Sequence, residues 1–187
     1  MAKNRLDIRP ATSNDAEAIA SVQIVSWRET YTGIVDDAYL DAMSLEQNRE
    51  RWDRILEMAV ENPTRVTLVA SVDDRVIGFA SGGPALGEDP PADGDLFAIY
   101  MVAAYHGHGF GRELFEAFCR SMTRSGFRSL RVWVLKENRS GGFYRAMGGV
   151  EGEETTITIG SADYITSSYL WPAIPTTGDG GSIEEAY

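Results

Sequence analysis

Apolar residues recur along this chain at two different spacings, and the switches between them mark out its elements. LDIRPA opens as a strand. Thr12 or Ser13 then caps a helix running to about Tyr31, with Thr12 and Asp15 at the spacing of a capping box in which Asp replaces the usual Glu. After Gly33, a second helical stretch is predicted over roughly Asp36 to Glu61, where Trp52, Ile55, Leu56 and Met58 keep helical spacing and Pro63 stops the helix. From Arg65 the period falls to two. VTLVASV and RVIGFASG read as an antiparallel pair turning at Asp73 and Asp74, and a loop rich in Gly, Pro and Asp leads into a third strand, DLFAIYMV. Leu114, Phe115, Phe118 and Met122 make Phe110 to Arg124 an amphipathic helix. The strand SLRVWVL follows, then a short helix from Asn138 to Met147 and two closing strands near Glu153 to Ile159 and Tyr164 to Trp171. This order predicts an α+β fold, with one mixed, mostly antiparallel sheet of about seven strands flanked by about four helices.

Composition narrows the class further. The 187 residues are 43% hydrophobic and 24% charged, as expected for one soluble domain, here residues 1–172, followed by a flexible acidic tail at 173–187 that ends near Glu184 and Glu185. Cys119 is the one cysteine, so an intramolecular disulfide and a Cys-based metal cluster are excluded, and a reducing compartment is the natural setting. No run approaches the ~18 apolar residues that span a bilayer, and MAKNRLDIRPA lacks the apolar core of a signal peptide, so a cytoplasmic location is expected. A formal charge of −11 opposes nonspecific binding to nucleic acid or an anionic membrane and attracts cationic small molecules, although acidic surfaces also serve solubility.

The densest chemistry lies in AIYMVAAYHGHGFGREL, a strand that runs into a glycine loop opening a helix. Alternating Gly107, Gly109 and Gly111 let the backbone turn tightly, and the helix start aims unpaired N–H groups and a positive dipole at one spot. Arg112 stands where the dinucleotide fingerprint needs its third glycine, and the Gly-Lys-Ser/Thr of a P-loop is absent. A pyrophosphate ligand and a merely flexible strand-to-helix turn are the two readings left. His106 and His108 form an H-x-H pair without a third ligand, so no metal is expected. Cys119 adjoins Phe118 on an apolar helix face and reads as a small hydrophobe. Asp95 opens the central strand and alternates with Phe97, Ile99 and Met101, which places all four on one face. Trp27, Tyr31 and Tyr39 are aromatics of the first helical region, as consistent with core packing as with a binding cleft.

HGHGFG resembles the Q/R-x-x-G-x-G/A loop of GNAT superfamily N-acetyltransferases, and Asn138 followed by FYRAMGG resembles the second element of that family, N-x-x-x-x-F-Y-x-x-x-G-F. The likeness extends to IRPAT, DAEAI, SWRETYTGI and the terminal YLW, so it covers nearly the whole chain outside the tail. His106 replaces the usual Gln or Arg, and Gly149 the usual Phe. The resemblance implies an acetyl-CoA-dependent enzyme that passes acetyl directly to a primary amine, with no metal and no covalent enzyme intermediate. The acceptor expected is a small molecule. Protein N-termini or lysines form a second acceptor class, and a catalytically silent acyl-CoA sensor is the alternative. Met101 and Val102 would hold the pantetheine arm by their backbones, an N–H at Val102 or nearby would stabilise the oxyanion, and His106, Gly107, His108, Gly109, Phe110, Gly111 and Arg112 would hold the pyrophosphate. Asn138 would bond near the thioester. Tyr144 would protonate the leaving thiolate, Asp95 would accept the amine proton with Glu29 as its rival, and Trp27 and Tyr31 would line the acceptor site. A homodimer is the default assembly.

Overall fold

In the computed structural model, residues 5–175 are described. Seven strands form one sheet in the order β1-β2-β3-β4-β5-β7-β6, from Leu6–Pro10 (β1), Val66–Val72 (β2), Arg75–Pro84 (β3), Gly94–Met101 (β4), Leu130–Leu135 (β5), Val150–Ile159 (β6) and Ala162–Trp171 (β7). Five helices accompany them: Ala16–Tyr31 (α1), Asp37–Asp41 (α2), Leu45–Glu61 (α3), Phe110–Arg124 (α4) and Gly141–Ala146 (α5). Every strand pair is antiparallel except β4 with β5. The α+β class and the strand count expected from the sequence are those observed.

Local chemistry sets the boundaries. Asp73 and Asp74 both take positive φ, 50° and 63°, the two-residue hairpin geometry whose twist matches the flanking strands and which Asp tolerates better than most residues. Asp15 accepts from the Thr12 N–H at 2.7 Å and from both terminal nitrogens of Arg9, so the chain entering α1 is fixed at its start. That contact holds the Asp15 carboxyl down at about 2, with the Arg9 hydrogen bonds the largest cause. The single helix expected over residues 36–61 is two. The chain leaves the helix after Asp41, and Ser44 starts α3 afresh by accepting from the Gln47 N–H at 3.4 Å. The short helix expected from Asn138 begins at Gly141, because Asn138 uses its side chain to cap the turn, accepting from the Ser140 N–H at 2.9 Å.

Two layers of helix sandwich the sheet. α4, with Leu114, Phe115, Phe118 and Met122, packs on the face of β2 and β3 that also receives Leu130, Val132 and Val134 of β5. Ile19, Trp52 and Leu56 of α1 and α3 cover Val69 and Phe79 on the opposite face. Ile174, inside the segment expected as tail, is buried in the α4-side core and donates its N–H to the Arg128 carbonyl at 2.7 Å. Residues 176–187 of that segment lie outside the described residues.

Candidate functional site

β4 and β5 pair over three residues only, Gly94–Leu96 against Leu130–Val132, and then part. The register of β4 against β3 also slips here, since Ser81 faces Ala98 while Gly82 faces Leu96, leaving Phe97 as the extra residue of a bulge. The bulge inverts the alternation. Leu96, Ile99 and Met101 belong to the α4-side core, whereas Ala98 and Tyr100 pack on the α1 side. Val102 donates its N–H to Ile77 on β3 at 2.9 Å, so by the alternation of an antiparallel ladder the amides of Ile99 and Met101 face the gap left by β5. A cleft of about 1000 Å³ passes through this gap and touches helices on both faces of the sheet.

The glycine loop forms its α4-side wall. Gly107 and Gly109 have φ of 76° and 84°, in the left-handed region where a side chain is strained, and a Cβ at either would meet nothing within 4 Å. Conformation, rather than steric room, therefore requires glycine at both. Gly109 is the N-cap of α4 and offers no side chain to the helix start, so the N–H groups of the first turn, at Phe110, Gly111 and Arg112, have no intrahelical acceptor. His106 Nε2 lies 2.8 Å from the Met101 carbonyl, which can only accept, so this nitrogen carries the proton and ties the loop entrance to the strand. His108 Nδ1 similarly donates to the His106 carbonyl at 2.9 Å.

Side chains build the other end. Tyr31, Tyr100 and Tyr144 converge there with Asn138, whose Nδ2 donates to the Tyr31 hydroxyl at 3.4 Å. Burial raises the pKa of all three phenols, and their mutual charge coupling raises those of Tyr100 and Tyr144 further. All three stay protonated at neutral pH. Glu29 of α1 also lines the cleft, with Oε2 accepting from the Ala103 N–H at 3.0 Å.

Several expected site residues stand elsewhere. Asp95 does not share a face with Met101, because of the bulge, and both its oxygens are bound by Arg131, Nε to Oδ1 and Nη2 to Oδ2, each at 2.8 Å. A carboxylate so locked is a poor proton acceptor, and Asp95 lines a different cavity. The Val102 N–H is taken by the Ile77 carbonyl and does not face the gap, so it is not placed to serve an oxyanion there. Val102, His108, Phe110 and Trp27 do not line the cleft, whereas Met101, His106, Gly107, Gly109, Gly111, Arg112, Asn138, Tyr31 and Tyr144 do. Trp27 supports it from behind, with ring centroids 4.7 Å from Tyr31 and 6.5 Å from Tyr100. Sequence reasoning missed Tyr100. The signal for it was present, since Tyr100 precedes Met101 on the strand leading to the glycine loop. Among the described residues no group of three or more His, Cys, Asp or Glu side chains is placed to hold a metal, and no helix is long and apolar enough to cross a membrane.

Comparison with known proteins fits this geometry. A family model described as the acetyltransferase (GNAT) family matches residues 24–148. The chain is 34% identical to an uncharacterized N-acetyltransferase, YuaI, of Bacillus subtilis over 140 residues, 74% of this chain and 77% of that one. It is 22% identical to the spermidine N(1)-acetyltransferase of Thermoplasma acidophilum over 153 residues, 80% and 91% of the two chains. The PaiA N-acetyltransferase of Thermoplasma acidophilum, crystallised with coenzyme A, superposes with a TM-score of 0.67 at 21% identity, covering 87% of this chain and 98% of that one.

Proposed function

The chain belongs to the acetyltransferase (GNAT) family and is an acetyltransferase, and on that premise we propose that it moves the acetyl group of acetyl-CoA directly onto the nitrogen of a small primary amine. The passage through the sheet is the observation that supports this best. The cleft is lined by the bare N-terminus of α4 on one face of the sheet and by Glu29 and Tyr31 of α1 on the other, an arrangement in which two reactants enter from opposite faces and meet in the gap.

The residues suit the cosubstrate. Its pyrophosphate matches the N–H groups of the Gly107–Arg112 turn and the positive end of the α4 dipole, and its pantetheine amides match the outward-facing edge of Ile99 and Met101, as an added strand would. When bound, acetyl-CoA supplies a thioester whose carbonyl carbon accepts the lone pair of the amine. Glu29, in place of Asp95, takes the proton from that amine, directly or through one water, using the oxygen that Ala103 leaves free. The N–H of Ile99 or Met101 faces the negative charge that grows on the carbonyl oxygen. Tyr144 gives a proton to the departing thiolate. Burial makes this phenol a weaker acid than a free one, but the same dry surroundings raise the proton affinity of a thiolate formed beside it. The relative that acts on spermidine supports an aliphatic amine as acceptor.

Incubation with acetyl-CoA and a mixed amine panel, scored as free thiol above the hydrolysis background, tests the proposal. Amine-dependent thiol release is the expected result. Tight coenzyme A binding without such release would identify a sensor, and release with peptides but not with small amines would move the acceptor to proteins.

A further inference from the structure

A second cavity, of about 850 Å³, lies beside the cleft and takes no part in the chemistry above. Leu130, Val132 and Val134 point to the α4 side, so Arg131 and Trp133 point to the opposite face, the one from which the amine enters. Phe97 and Trp133 line both cavities, so the two adjoin through aromatic walls. Phe97 is 41% exposed, unusual for a large apolar residue in the middle strand of a seven-stranded sheet.

Its rim is held rigidly. Asp95 accepts from the Leu86 N–H at 2.9 Å while Arg131 Nη2 donates to the Leu86 carbonyl at 2.7 Å, so the buried ion pair grips the loop between β3 and β4 by both backbone groups of one residue. At the other end of the loop, Asp93 accepts from the Arg128 and Ser129 N–H groups at 3.0 and 2.9 Å. Between these clamps stand Glu88 and Asp89, and Glu153 faces them from β6. Arg131 is neutralised by Asp95 and stacked on Trp133 at 5.3 Å, so the lining keeps the negative charge of the other three carboxylates.

We propose that this cavity receives the far end of the acceptor, and that the acceptor is a linear aliphatic di- or polyamine whose distal ammonium groups lie among Glu88, Asp89 and Glu153 while its methylene chain crosses Phe97 and Trp133. The proposal rests on the acetyl-transfer reading above. Aromatic faces suit both parts of such a molecule, burying methylenes and attracting cations, and preset carboxylates favour a charged chain over a neutral one of equal length.

Spermidine and butylamine, which present similar reacting amines but differ in distal charge, separate the possibilities. The wild-type protein should show kcat/KM at least tenfold higher for spermidine, and the advantage should shrink as salt is raised. The triple variant Glu88→Gln, Asp89→Asn, Glu153→Gln should lose at least tenfold for spermidine and stay within twofold for butylamine. Equal losses for both amines, or none for either, would overturn the cavity assignment while leaving acetyl transfer intact. If neither amine is acetylated, the small-amine reading fails, and calorimetry with spermidine alone decides the cavity. Binding weakened tenfold in the triple variant supports it, and absent or unaltered binding removes it.

Discussion

On its α4 side the cleft is walled by main chain, with two left-handed glycines, the first turn of a helix and a strand edge with unpaired amides. The rest of the wall is made of side chains drawn from α1, β4, α5 and the segment before α5, Glu29, Tyr31, Tyr100, Asn138 and Tyr144, of which the first and last stand more than a hundred residues apart. Main chain recognises what is constant, such as a diphosphate. Side chains can be exchanged singly, which leaves the reacting amine and its proton transfers to be tuned without disturbing the cofactor half. The two halves should therefore fail independently under mutation.

The largest expected effect is on the side-chain half. Tyr144→Phe keeps the ring packed against Tyr169 and Trp171 and removes only the hydroxyl, so kcat should fall by about 10²- to 10⁴-fold with little change in coenzyme A affinity. Near-wild-type kcat, with chemistry shown to limit the rate, would leave water or the substrate as the proton donor. Next comes a contrast between two carboxylates. Asp95→Asn leaves Arg131 buried without its partner and should cost about 3 kcal/mol in denaturant unfolding, the lower end of the range because the pair borders a cavity, yet leave the acidic limb of the kcat/KM profile in place. Glu29→Gln should lower kcat/KM at neutral pH by about 10²-fold or more and barely alter stability. The reverse pattern would restore Asp95 to the mechanism.

Gly109→Val tests the main-chain half. A β-branched residue at φ of 84° is disfavoured by about 1–2 kcal/mol, so coenzyme A affinity measured by calorimetry should drop roughly tenfold while kcat at saturation changes less. Unchanged affinity in a folded variant would mean that the turn does not hold the pyrophosphate. The smallest effect on activity is expected at Asp15, remote from both halves. Its carboxyl sits at about 2 in the folded protein against an ordinary 3.8, so the stabilisation is fully present above about pH 4 and is lost as pH falls towards 2. Melting temperatures of wild type and Asp15→Asn should thus differ at neutral pH and converge near pH 2, with amine turnover unaltered at pH 7.

The same division explains what could be read from the chain alone. A backbone-made site leaves its mark in sequence because only glycine tolerates the conformation, so Gly107 and Gly109 announced themselves by spacing. The bulge at Phe97 left no mark. DLFAIYMV is apolar at every position after Asp95, so no polar residue marks a change of face, and the partner strand alone reveals that one residue is extra, which is why Asp95 was expected on the face of Met101. Tyr100 and Glu29 were hard to place for a related reason, since their meeting depends on how α1 crosses the sheet. The break between α2 and α3 was written locally in Ser44, but the helical spacing on either side masked it. Ile174 follows Trp171 and Pro172 closely enough to read as tail, and its burial comes from the contact with Arg128.

The brief β4–β5 pairing has one more consequence, in the cooperativity of unfolding. Strands β1 to β4 form one ladder and β5, β7 and β6 another, and between strands the two ladders are joined by that three-residue parallel seam. Such a joint should open at lower free energy than either ladder, giving faster amide exchange at its borders than in the strands to each side. A ligand seated across the gap bonds to one ladder and packs on the other. It acts as a rivet, and slower exchange at the seam would report its arrival before any acetyl group has moved.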